Sequence, residues 1–158
     1  MAESGLAELY FAYGSNLSMR QMRTRCPSAR PLSRCSLQDW RLSFVQPHEG
    51  WSGGVAGIVQ AAGGIVHGVV YELSHEDLIR LDGFEPVESG GYKRMMTHVR
   101  LSTDATLECW VYIGDVYRGA PFAPSVRYLQ TVLTGAREHG LPEDYIDWIV
   151  REFPPCDI

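Results

Sequence analysis

Two short stretches of this chain carry residue types and spacings that could do chemistry. The first is Leu9-Tyr-Phe-Ala-Tyr-Gly-Ser-Asn-Leu17, where apolar and aromatic residues end abruptly at Gly14-Ser15-Asn16 and a plausible helix follows from Ser18. A strand that delivers a tight turn to a helix start leaves backbone N–H groups pointing outward and unpaired. Such groups can hold a carboxylate, a phosphate or a developing oxyanion. The second is Asp82-Gly-Phe-Glu-Pro-Val-Glu-Ser-Gly-Gly-Tyr92, a loop with carboxylates at Asp82, Glu85 and Glu88. A carboxylate held at a barrel mouth beside Phe84 and Pro86 is partly desolvated, and its pKa rises toward the range of a general base. Each stretch also has an ordinary reading. The first describes a strand-to-helix connection capped by Asn16 or Ser18, and the second a solvated acidic loop.

Other chemistries lack a signature. The chain contains no G-x-x-x-x-G-K-[ST], G-x-G-x-x-G or G-x-S-x-G, so phosphate-loop, dinucleotide and nucleophile-elbow sites are not indicated. His48, His67, His75, His98 and His139 are scattered, with no pair at a metal-ligand spacing, and no metal site is expected. Cys26, Cys35, Cys109 and Cys156 show no C-x-x-C spacing and read as packing or surface thiols. The net charge of −5 argues against a nucleic-acid partner. Arg20, Arg23, Arg25, Arg30, Arg34 and Arg41 make the first third locally basic, which reads as a solvated helix face. No apolar run approaches the ~20 residues needed to span a bilayer. The N-terminus lacks the regions of a signal peptide, so a cytoplasmic protein without a membrane partner is expected.

The elements that must position these stretches follow from pattern. Length and composition suit one domain over residues 1–158. Residues 7–13 form an entry strand, and Ser18 to about Arg25 a short helix stopped before Pro27. Trp40 to Val45 alternates as a half-buried strand. Gly54–Gln60 and Ile65–Leu73 read as a hairpin around Gly63-Gly64. Gly57 and Gly68, inside those strands, suit the tight bends of a closed small barrel. Ser74-His-Glu-Asp77 opens a helix through about Leu81, and Tyr92–Leu101 and Ala105–Ile113 follow as strands. Two helices close the chain, one from Pro124 to His139 and one from Pro142 to about Phe153. The class expected is α+β: a small closed, mainly antiparallel β-barrel flanked by α-helices.

Leu9–Leu17, Leu81-Asp-x-x-Glu85 and Ser89-Gly-x-Tyr92 together closely resemble the γ-glutamylcyclotransferases. The resemblance continues through Gly68-Val-Val-Tyr71, Ala120-Pro121, Tyr128 and Gly135-Ala-Arg-Glu-His-Gly-Leu-Pro142, and covers about Tyr10 to Tyr145. It implies an enzyme that converts γ-glutamyl amino acids into 5-oxoproline and a free amino acid, without metal or cofactor. It also implies a substrate site made by Tyr10, Phe11, Ala12, Tyr13, Gly14 and Ser15, with Tyr128 and Tyr92 alongside and Glu85 as the acid/base. The implied partner is a small-molecule γ-glutamyl substrate, and relatives are often homodimers. Trp148, Ile149 and Phe153 are candidates for an interface or for core packing.

Three features depart from the family pattern. Pro86 stands where the family usually has Gly after the catalytic glutamate, Gly83-Phe84 replaces a more polar pair, and Pro121–Arg127 carries two extra residues beside the acceptor side. These bear on the leaving amino acid rather than on cyclisation. Two alternatives remain at this point: removal of a γ-glutamyl protecting group from a larger amine, and a binding module that reuses the fold.

Overall fold

The computed structural model describes residues 7–85 and 91–157. Its two longest strands, β2 (Arg30–His48) and β3 (Gly53–Ser74), pair antiparallel along nearly their whole lengths. The other strands are β1 (Ala7–Ala12), β4 (Tyr92–Leu101) and β5 (Thr106–Gly114). They close into a barrel in the order β1-β3-β2-β4-β5. Three further pairs are antiparallel, and β5 meets β1 in parallel at Trp110 and Tyr10. The closed, mainly antiparallel barrel expected from the glycine pattern is therefore present. Outside it lie α1 (Met19–Arg25), α2 (His75–Phe84), α3 (Val126–Glu138) and α4 (Glu143–Glu152).

One expectation is corrected. Gly54–Gln60 and Ile65–Leu73 do not fold onto each other. Both lie in β3 and pair with successive parts of β2, Gly53–Gln60 with Trp40–His48 and Ile65–Glu72 with Arg30–Gln38. The hairpin turn is instead the connection through Glu49–Trp51, with Ser52 left-handed at φ 60°. Residues 61–64 form a bulge opposite Asp39, whose own φ is 67° and whose carboxylate accepts the Gly63 N–H at 3.0 Å. Glycine pairs mark turns and bulges alike, and only the partner strand distinguishes them.

Helix starts follow local chemistry. Ser18, Ser74 and Ser125 cap α1, α2 and α3, accepting from the N–H groups of Gln21, Asp77 and Tyr128. Helix α2 runs to Phe84 rather than Leu81, which places Glu85 at its C-cap. On α4, Ile149 and Phe153 are buried and Trp148 packs on the core, so these residues face inward within the chain.

Gly135 decides how α3 meets the turn after β1. A Cβ there would lie 2.3 Å from the Leu17 carbonyl carbon and 2.4 Å from the Ser18 nitrogen. A glycine inside a helix ordinarily costs about 1 kcal/mol relative to alanine, so replacing it is usually stabilising. Here the sign reverses, because main chain meets main chain and neither side can yield. Gly135→Ala should lower the free energy of unfolding by about 2–3 kcal/mol, read by urea denaturation.

Candidate active site

The end of β1, the following turn and the C-terminus of α2 converge on one cavity of about 280 Å³. Tyr10, Tyr13, Gly14, Ser15, Asn16, Glu85, Tyr92 and Tyr128 line it, together with Arg25, Gln46, Trp51 and Ala56 among others. The two chemically suggestive stretches of the sequence thus share one space.

The turn is a single 3₁₀ segment, Ser15–Leu17. Gly14 and Ser15 carbonyls accept from the N–H groups of Leu17 and Ser18, each at 3.0 Å. The turn itself offers the N–H groups of Ser15 and Asn16 no acceptor, and no side chain caps it. Asn16 is buried and braces the turn. Its Nδ2 donates to the Tyr10 hydroxyl at 3.0 Å, while its Oδ1 accepts from Gln21 and from Arg25, each at 3.1 Å. Gln21 also donates to the Ser15 hydroxyl at 2.7 Å. A first turn of α1 that begins at Ser18 therefore supports the glycine turn from behind.

A bulge in β2 builds the opposite wall. Register shifts between Phe44 and Gln46, and the carbonyls of Phe44 and Val45 accept from Phe122 and Tyr117 instead of from β3. The main chain of Ala56 on β3 is then available to side chains. Its N–H donates to the Tyr128 hydroxyl at 2.9 Å, and its carbonyl accepts from the Tyr92 hydroxyl at 2.7 Å. Trp51 packs edge-on against Tyr128, with ring centroids 4.9 Å apart.

Glu85 brings a carboxyl group to the cavity wall. It is half-buried, but protein atoms enclose its carboxyl at the cavity wall, and that enclosure governs its desolvation. Burial pushes its pKa up to about 7, with Arg25 pulling it down and Asp82 pushing it up. The tyrosines around it remain protonated. Burial raises Tyr10, Tyr13 and Tyr92 well above the ordinary phenol value and brings Tyr128 to about 12. The buried thiols Cys26, Cys35 and Cys109 are pushed up to about 12 and are poor nucleophiles. Among the described residues no group of three or more His, Cys, Asp or Glu is placed to hold a metal ion. Among the described residues no helix is long and apolar enough to cross a membrane.

The sequence-derived site residues divide into two groups. Tyr10, Tyr13, Gly14, Ser15, Glu85, Tyr92 and Tyr128 line the cavity. Phe11 and Ala12 do not. Both are fully buried, and they pack against β3 at Gly68, where a Cβ would lie 2.2 Å from the Ala12 carbonyl. Glu88 and Pro86 lie outside the described residues. Residues 121–127 do not line the cavity either; Arg127 reaches it only through Trp51, stacking at 4.4 Å from the ring centroid. The largest omission was Arg25. It belongs to the basic run read as a solvated face, but the run disperses: Arg30 pairs with Glu72, Arg34 with the Gly140 carbonyl and Arg41 with Glu152. Arg25 alone turns into the cavity, its guanidinium 4.8 Å over the Phe84 ring. Its spacing from Gln21, one helical turn, was the available signal.

Comparison with known proteins agrees with this geometry. Residues 65–149 match the model of the AIG2-like family. The γ-glutamylcyclotransferase of Bos taurus is 37% identical over 148 residues, covering 91% of this chain and 78% of that protein. The Homo sapiens protein of the same name is 38% identical over 141 residues, covering 87% and 74%. A solved structure described as a γ-glutamyl cyclotransferase superposes with a TM-score of 0.90 at 33% identity, covering 97% of this chain and 91% of that one. On sequence and on fold alike, this chain belongs to the γ-glutamylcyclotransferase family.

Proposed function

We propose that this chain converts γ-glutamyl amino acids to 5-oxoproline and the free amino acid. The observation that carries this reading is that, among the described residues, one carboxylate, Glu85, lines the cavity and is raised to about 7, beside the open N–H groups of the Gly14–Asn16 turn. Kinship with proteins named γ-glutamylcyclotransferase supports it.

The chemistry needs only what the cavity provides. The substrate's α-amine attacks its own γ-carbonyl carbon and closes a five-membered ring. At neutral pH that amine is mostly an ammonium, so Glu85 first takes a proton from it. Attack then puts negative charge on the former carbonyl oxygen, where the N–H groups of Ser15 and Asn16 can meet it. One such donor is commonly worth about 3 kcal/mol of barrier. Collapse breaks the C–N bond to the leaving amino acid, whose nitrogen takes the first proton back from Glu85; the carboxylate then takes the second proton from the ring nitrogen, leaving the neutral lactam, and passes it to the released amine, which departs as an ammonium. The rigid aromatic walls, Tyr10, Tyr13, Tyr92 and Tyr128, hold the substrate curled so that amine and carbonyl stay in contact. No observation favours a larger γ-glutamyl amine as substrate; a cavity of about 280 Å³ suits a small one.

Glu85→Gln should fold and form 5-oxoproline from γ-glutamyl-alanine at least about a thousandfold more slowly, because an amide accepts no proton. Turnover near the wild-type rate would remove Glu85 from the mechanism. For the wild type, kcat/KM should fall tenfold per pH unit below about 7, the pKa of the required base.

Stability carries the same signature. The folded-state pKa of Glu85 lies above the unfolded value of 4.5, so its contribution is fully retained below about pH 4.5 and is lost as pH rises through about 7. The difference reaches up to about 3 kcal/mol at pH 8. Glu85→Gln should therefore melt higher than the wild type at pH 8, with the gain disappearing by pH 4.5. An equal difference at both values would show that Glu85 does not titrate as described.

A further inference from the structure

Three side chains outside the cavity join its two halves. Asp82 lies on α2 one helical turn before Glu85. Its carboxylate accepts from Arg94 of β4 through Nε at 2.8 Å and Nη2 at 3.1 Å, and from the Tyr112 hydroxyl of β5 at 2.6 Å. Tyr112 in turn accepts the Tyr13 hydroxyl on its main-chain carbonyl at 2.7 Å. One residue of β5 thus holds both the helix that ends in Glu85 and the residue that precedes Gly14. Arg94 is also fixed: its guanidinium sits 4.3 Å over the Trp110 ring, and the Trp110 indole donates to Glu8 of β1 at 3.1 Å. None of the three lines the cavity.

We propose that Asp82, Arg94 and Tyr112 form a positioning unit that holds Glu85 against the Gly14–Asn16 turn during proton transfer. The proposal rests on Glu85 being the proton-transfer group. A fork of Arg94 on both carboxylate oxygens fixes the roll of α2 as well as its distance from the barrel, which a single hydrogen bond would not. Glu85 is the C-cap of α2, so Asp82 is the nearest anchored side chain within the helix on its N-terminal side. A displacement of about 1 Å at such a group is enough to cost about a hundredfold in rate.

The charges facing Glu85 define a test that separates positioning from mere support. Among the described residues they are Arg25 from α1 and Asp82 from α2, with Arg94 of β4 behind Asp82. His48 of β2 lies in the cavity wall, Tyr10, Tyr13, Tyr92 and Tyr128 complete the lining as protonated phenols, and Tyr112, also a protonated phenol, stands behind it. Asp82→Asn and Arg94→Gln remove the same ion pair with opposite effects on this field. In both, kcat for γ-glutamyl-alanine should fall about ten- to a hundredfold, with KM within about threefold of the wild type. The acid limb of kcat/KM should move to lower pH in Asp82→Asn, which loses a negative neighbour and leaves Arg94 uncompensated. It should move to higher pH in Arg94→Gln, which leaves Asp82 uncompensated. Tyr112→Phe, which removes only a hydroxyl, should lower kcat about tenfold and spare KM. Displacements of one sign in the two charge variants, or wild-type kcat in Tyr112→Phe, overturn the positioning role. Glu85→Gln in the same buffers is the separate control: if it stays active, the assignment of the base fails, and the positioning role fails with it.

Discussion

Desolvation of one carboxylate is the constraint on which the rest of this structure turns. Glu85 in water would be an anion at pH 7 with little tendency to hold a proton. Enclosed by four tyrosines and the end of α2, it is brought to about 7, the range that the proposed proton transfers require. Each wall of the enclosure has its own origin. Tyr10 and Tyr13 come from a strand that must end at Gly14, Tyr92 opens β4, and Tyr128 lies in the first turn of α3. The barrel supplies Tyr10, Tyr13 and Tyr92, and the helices packed outside it supply Tyr128 and Glu85.

The barrel also explains why the open N–H groups are where they are. β1 closes the barrel in parallel with β5 at Tyr10 and Trp110, and the turn that follows it lines the cavity. Helix α3 then packs on the turn at Gly135, and Gln21 and Arg25 from α1 hold Asn16 from the other side. The turn is gripped from two helices, and its residues Gly14, Ser15 and Asn16 line the cavity. The proposed oxyanion role requires donors that do not reorganise, and bracing from two helices meets that requirement.

Much of the site was legible because it is local. The abrupt end of an aromatic run at Gly14-Ser15-Asn16 and the serine caps are sequence-neighbour effects, and so is the placement of Glu85 just beyond α2. What was not legible depends on pairing between distant segments. Ala56 enters the site only because β2 bulges at Val45 and surrenders its hydrogen bonds to Tyr117 and Phe122. Gly63-Gly64 reads as a hairpin turn until the length of β2 is known. Phe11 and Ala12 belong to the family motif, yet they serve the core beneath Gly68 rather than the cavity. Arg25 was hidden in a basic run whose other members scatter to unrelated partners. Charge counts describe a surface, whereas a single inward guanidinium is a property of the helix that carries it.

The ionisation of Glu85 in the folded protein is read directly by NMR titration of ¹³C-labelled glutamate side-chain carboxyls. One resonance should titrate near pH 7, well above the others, and should be missing from the spectrum of Glu85→Gln. If every glutamate carboxyl titrated near 4.5, or if the high-pKa resonance persisted in the variant, the carboxylate at the centre of this structure would not be the base described.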